Sequence, residues 1–136
     1  AAVVTNTGLQ GRWQVLSRLP LSVCDTGHNR EGLEYVMRQV METPKENLHM
    51  VIGFVNDKDL SSVLPLFPKN ATYYFTRASV PRALDENLLM AAAGGYGLSG
   101  RACHTVTEAV EAARTAAGPR DMIFIGGSTF VVADAL

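Results

Sequence analysis

Apolar and polar residues along the chain fall into blocks with two different periods. Leu33, Val36, Met37, Val40 and Met41 recur three and four positions apart, which lines one face of a helix predicted from about Asn29 to Glu42 and ended by Pro44. His49–Phe54 is instead a continuous apolar run, too short for a helix with its own caps, and is predicted as a strand buried on both faces. Ala71–Phe75, rich in aromatic residues, and Met122–Ile125 are predicted as further strands. Near the amino end, Trp13–Leu16 and Leu21–Asp25 form two short predicted strands about a turn at Arg18-Leu19-Pro20, the first of them at a sheet edge. Asp59 and Asp85 stand where they would cap short helices, one through Leu64 or Leu66 and one to about Ala93. Thr105-Val106-Thr107-Glu108 is a capping box for a helix with Val106, Ala109, Val110, Ala113 and Ala117 inward, stopped by Gly118-Pro119. A Gly126-Gly127-Ser128 turn and a short element to Leu136 close the chain. Strands alternating with amphipathic helices predict an α/β fold: a mostly parallel, Rossmann-like sheet with helices on both faces and binding loops at the strands' carboxyl ends.

Composition narrows the class. At 136 residues, 47% hydrophobic and 18% charged, residues 1–136 suit one globular domain with an ordinary core. A formal net charge of -1 gives no general attraction to nucleic acid or anionic lipid, so any anion must be bound locally. Cys24 and Cys103 lack a CxxC spacing and lie in or beside apolar strands, where buried free thiols are expected. No apolar run reaches the roughly 18 residues of a membrane span and no basic leader is visible, so a cytoplasmic location without membrane contact is expected. The start at Ala1-Ala2-Val3-Val4, without an initiating methionine, suits an excised fragment.

Asp25-Thr26-Gly27-His28-Asn29-Arg30 is the stretch richest in chemistry, because it directly follows a strand and opens a helix. Free backbone N–H groups and the positive end of the helix dipole make such a place an anion site. Asp25 can accept from ribose hydroxyls there, and His28 and Asn29 can donate to phosphate oxygens; equally, Asp25 or Asn29 could be a plain helix cap and His28 a solvated loop residue. Two other signals are set aside. Gly95–Ala102 has P-loop glycine spacing, but Arg101 and Ala102 replace the phosphate-binding Lys and the magnesium-binding hydroxyl, so it is read as a helix-ending turn. His28, His49 and His104 with the two cysteines make no zinc spacing, and no metal site is predicted.

Five segments in order resemble the carboxyl-terminal domain of folylpolyglutamate and dihydrofolate synthases, amide ligases of the Mur ligase type. Asp25-Thr26-Gly27-His28-Asn29 is similar to that family's Asp-Gly-Ala-His-Asn box, and Gly11-Arg12-Trp13-Gln14 to the segment where its linker enters the domain. Gly53-Phe54-Val55-Asn56-Asp57-Lys58-Asp59 resembles its Gly-x-x-x-Asp-Lys-Asp loop. Val80-Pro81-Arg82-Ala83-Leu84 resembles its Arg-Ala stretch, and Gly126-Gly127-Ser128-Thr129-Phe130 its Thr-Gly-Ser-Leu-Tyr segment. The departures, Thr26-Gly27 for Gly-Ala and Thr129-Phe130 for Leu-Tyr, keep small or aromatic character.

The resemblance implies a Mur ligase carboxyl-terminal domain whose amino-terminal P-loop domain lies outside these residues. It implies an enzyme that joins L-glutamate to a folate or dihydropteroate carboxylate through an acyl phosphate, with ATP and Mg2+ as cofactors of the whole enzyme and none held by this domain alone. Arg12, Asp25, His28 and Asn29 would serve ATP, with Asp25 at the ribose and His28 the catalytic residue at the γ-phosphate. Lys58 and Ser128 would lie by the incoming glutamate. The partners implied are its own P-loop domain, ATP, glutamate and the folate acceptor, in a monomer, with no nucleic acid and no membrane. A stand-alone anion- or nucleotide-binding module, or the equivalent domain of another Mur-type ligase, is the alternative. Away from the resemblance, Lys58 is equally a surface ion-pair partner of Asp57 and Asp59, and Ser128 a helix cap.

Overall fold

The computed structural model describes residues 13–136. Strands β1 (Gln14–Arg18) and β2 (Leu21–Cys24) lead into helix α1 (Arg30–Glu42), followed by β3 (Leu48–Ile52), α2 (Leu60–Val63) with a 3-10 turn at Leu64–Leu66, β4 (Thr72–Phe75) and α3 (Glu86–Gly94). Then come β5 (Gly100–Ala102), α4 (Val106–Ala116), β6 (Met122–Gly126) and α5 (Thr129–Ala135). The sheet runs β1-β2-β6-β3-β4-β5. Among the described strands only the β1–β2 pair is antiparallel, and it carries a register irregularity between Val15 and Ser17; β2, β6, β3, β4 and β5 are mutually parallel.

The continuous apolar runs have a direct cause. Every residue of β3 and of β6 is buried, because both strands lie in the middle of the sheet under helices on both sides. On one face Val23, Met50, Ile52, Tyr73, Phe75, Met122 and Phe124 meet Leu33, Val36, Met37 and Val40 of α1, Val63 of α2 and Leu89 and Ala93 of α3. On the other, Cys24, Val51, Tyr74, Ile123 and Ile125 meet Val106, Ala109, Val110 and Ala113 of α4 and Val131 and Val132 of α5. The predicted doubly covered sheet is therefore present, as are the predicted inward faces of α1 and α4, with two exceptions. Met41 is 55% exposed, since it sits in the last turn of α1, beyond the sheet's cover, and Ala117 is the half-buried C-cap of α4.

The helix starts follow the predicted chemistry. Asn29, Asp59, Asp85, Thr105 and Ser128 each cap a helix by accepting from a first-turn amide. The Gly95–Ala102 stretch does end α3, with Gly95 as C-cap and Gly97 at φ +80°, but its last three residues are the edge strand β5, which the sequence-based expectation of a plain turn omitted. Gly100 is there for space: a Cβ would lie 1.9 Å from the Tyr73 carbonyl oxygen.

One buried polar cluster lies at the amino ends of the strands. His49 bonds Asp121 Oδ2 through Nε2 and the Tyr74 hydroxyl through Nδ1, both at 2.9 Å. The Gly118 amide, the His49 ring and the Asn47 donors hold the Asp121 carboxyl down at about 2 against the opposing effect of burial. A histidine inside an apolar strand needs partners for both ring nitrogens, and here they are met within the protein.

Candidate functional site

The site is placed by the direction in which the chain leaves adjacent strands. After β2 it turns to α1 on one face, after β3 to α2 on that same face, and after β6 to α5 on the opposite face. Chains departing to opposite sides of neighbouring parallel strands leave a crevice at their carboxyl ends. Three loops meet there: 25–29 after β2, 53–59 after β3 and 127–128 after β6.

Glycine lets these loops touch backbone to backbone. Gly53 N–H donates to the Gly126 carbonyl at 3.3 Å. A Cβ on Gly53 would stand 2.6 Å from the Thr76 carbonyl oxygen, and one on Gly127, at φ +101°, 2.5 Å from the Gly53 carbonyl oxygen. Neither position admits a side chain without movement of main chain. Both glycines directly follow apolar strands, the signal by which sequence could have marked them.

Within this frame the predicted residues have these surroundings. Asp25 is 4% exposed; its Oδ1 accepts from Gly27 N at 2.7 Å and its Oδ2 from Trp13 N at 2.8 Å. Each oxygen keeps one further lone pair. His28 is exposed, with Nδ1 3.3 Å from the Thr26 carbonyl, so its ring is free to turn toward a ligand. Asn29 uses its Oδ1 to cap Gly32 N at 2.7 Å, which leaves its amide NH2 to donate; the plain-cap and ligand roles are compatible. The first amides of α1 lack partners within the helix, as at any helix start.

Lys58 does not pair with its acidic neighbours. Its ammonium donates to the His28 carbonyl at 2.5 Å, while Asp57 meets Arg82 at 3.3 Å and Asp59 caps α2. The local ion-pair alternative is therefore replaced by a bridge between the loops after β2 and β3. An ammonium has three N–H donors, so two remain for a ligand. Ser128 is 5% exposed and accepts from Val131 N at 3.2 Å; as with Asn29, capping uses the oxygen and leaves the O–H to donate. Phe130, the second residue of α5, is 38% exposed. Arg12 lies outside the described residues, although its neighbour Trp13 is fastened to Asp25. Asp25, His28, Asn29, Lys58 and Ser128 thus lie on the three loops at the strands' carboxyl ends, with Lys58 bonded to the His28 carbonyl, whereas Arg82 is drawn to Asp57 at the surface.

Among the described residues no three or more His, Cys, Asp or Glu side chains gather into a metal-binding group. Both cysteines are free and buried, and burial, with the neighbouring Asp25 charge, pushes the Cys24 thiol up to about 11. No described helix is long and apolar enough to cross a membrane.

Comparison with known proteins joins this geometry to a family. Residues 11–129 match the family described as "Mur ligase, glutamate ligase domain". A probable bifunctional folylpolyglutamate synthase/dihydropteroate synthase of Haloferax volcanii is 31% identical over 133 residues, 96% of this chain and 16% of that protein. The solved structure of Escherichia coli FolC in complex with DHPP and ADP superposes with a TM-score of 0.84 and 28% identity, covering 93% of this chain and 30% of that one. The Yersinia pestis bifunctional folylpolyglutamate synthase/dihydrofolate synthase complexed with AMPPNP and Mn ion gives a TM-score of 0.78 and 27% identity, covering 93% and 30%. The chain therefore spans less than a third of each of these three proteins.

Proposed function

This chain belongs to the Mur ligase family as its glutamate ligase domain, and from that premise we propose that it is the carboxyl-terminal part of a cytoplasmic, monomeric folylpolyglutamate or dihydrofolate synthase. The reaction it serves joins the amino group of L-glutamate to a folate or dihydropteroate carboxylate. An oxygen of that carboxylate attacks the γ-phosphorus of ATP and ADP leaves; glutamate's nitrogen then attacks the acyl carbon, phosphate leaves and the nitrogen loses a proton.

The observation that carries this reading is the meeting of three loops in one crevice. His28 and Asn29 stand on the β2 side and Lys58 and Ser128 on the β3 and β6 sides, with Lys58 reaching across to the His28 carbonyl. Donors on one side serve the phosphate while those on the other serve the carboxylates of glutamate. This brings the two reactants of the second step together, and such positioning is where most of the rate in acyl and phosphoryl transfer arises.

In this proposal Arg12 supplies a permanently charged fork to phosphate oxygens. Asp25 takes a ribose hydroxyl on a remaining lone pair, and His28 donates to the oxygen that gains charge during transfer. Lys58 holds a glutamate carboxylate with its free N–H bonds and Ser128 donates its hydroxyl to the same molecule. Mg2+, which neutralises ATP's phosphates, is in this proposal assigned with the P-loop to the part of the enzyme beyond this chain. No step here is routed through it.

The test is made on the whole protein from which the chain derives, given MgATP, L-glutamate and either dihydropteroate or a reduced folate. ADP release coupled to amide formation is expected with at least one acceptor. Turnover with another Mur-type acceptor and none with folates would reassign the substrate. Nucleotide binding with no amide under any condition would leave a binding module.

A further inference from the structure

Trp13 has φ +42°, a left-handed conformation that a bulky L residue avoids unless its surroundings impose it. A carboxylate meets its amide there. Asp25 Oδ2 accepts the Trp13 N–H at 2.8 Å, and Oδ1 accepts the Gly27 N–H at 2.7 Å. The Asp25 N–H in turn donates to the Ile125 carbonyl at 3.1 Å, which fixes this residue to β6 in the middle of the sheet. The Trp13 N–H belongs to the rigid peptide unit that joins Arg12 to Trp13. One buried side chain therefore holds both the Trp13 amide at the entry to β1 and the turn that presents His28.

We propose that Asp25 is a positioning residue, a latch that keeps the Trp13 amide, where the chain enters β1, and the Gly27-His28 turn in a fixed relation, apart from any contact with the nucleotide sugar. The proposal rests on the ligase reading only for its catalytic consequence. The chemistry requires a carboxylate: both oxygens face backbone N–H groups, so Asn would turn an NH2 toward one of them and leave that donor unanswered. Gln or Glu at this place would reach too far, since the carboxylate lies directly under the turn it holds.

The latch is measurable without mutation. In the unmodified chain the Trp13 amide is expected to exchange with solvent at least about tenfold more slowly than a free peptide, although it has no partner in the β1–β2 ladder. Exchange at the free rate overturns the proposal, and because no variant is needed, a failure of Asp25→Asn to fold cannot leave the matter open. Trp13 is the only tryptophan of the chain, so its fluorescence is a second signature. Asp25→Asn is expected to shift the emission to the red; unchanged emission and unchanged Trp13 exchange in a folded variant also overturn the latch.

In the whole enzyme, Asp25→Asn is expected to raise KM for ATP about tenfold, the loss of one buried donor's partner. A loss should persist with 2′,3′-dideoxy-ATP, which lacks both sugar hydroxyls. A loss seen with ATP that vanishes with the dideoxy nucleotide makes Asp25 a ribose ligand only and overturns the positioning role. If the whole enzyme forms no amide with any acceptor, the ligase reading fails while the exchange and fluorescence results still decide the latch.

Discussion

At the scale of single residues, the site separates groups that are free from groups that are engaged. His28 is exposed and makes one loose contact to the Thr26 carbonyl, so His28→Ala should leave the melting temperature nearly unchanged. If it donates to developing charge, turnover of the whole enzyme should fall on the order of 10²-fold; normal turnover returns it to a solvated loop residue. Asp121 is the opposite case, fully engaged and far from the crevice. Its carboxyl is lowered from 3.8 to about 2 in the folded chain, so the folded state favours its ionised form. That stabilisation is complete above pH about 4 and is lost as pH falls toward about 2. The stability advantage of the natural chain over Asp121→Asn should therefore narrow across that window in pH-dependent thermal melts, and an advantage independent of pH would show that the carboxylate's charge is not what matters.

At the scale of elements, what sequence made legible were features with a local cause. The 3.6-residue period of α1, the caps at Asn29, Asp85 and Thr105, and the all-apolar β3 and β6 each follow from their own residues. β5 was hidden because three residues carry too little pattern to register, and it is a strand only by pairing with β4. The motif loops were visible too, but their mutual contacts were not. Lys58 finding the His28 carbonyl across 30 positions depends on β6 lying between β2 and β3, a fact of topology. Capping and crevice geometry give separable expectations. Asn29→Ala should cost about 1 kcal/mol through the lost α1 cap. Gly127→Ala should cost more, on the order of 1–3 kcal/mol, because it forces a left-handed residue and drives a Cβ against the Gly53 carbonyl. Denaturant melts of the two variants check the order, and a harmless Gly127→Ala would mean that the β3 and β6 loops part easily.

At the scale of the molecule, the chain has its own two-sided core and one half of a proposed reaction site. Supplied with MgATP, glutamate and a folate acceptor by itself, it should release no ADP and form no amide, because its one glycine-rich stretch with P-loop spacing is the turn and edge strand after α3. Mixing with a separately produced P-loop part should restore turnover to the extent that the two associate. Activity of the chain alone would refute the division of labour proposed here. The sequence resemblance implies this division, while the crevice itself became visible only once the departures of α1, α2 and α5 from the sheet were known.

The two margins of the sheet have a further consequence. A row of unpaired backbone groups invites another copy to zip on, and proteins resist this by making border strands short, irregular or charged. β5 is three residues long with Arg101 exposed at its centre, and β1 departs from regular register between Val15 and Ser17. Both borders are thus poor templates for ladder growth, so the chain should stay dispersed at concentrations where flat-edged sheets form fibrils, and Arg101→Val, which makes one border apolar, should be the change that starts them.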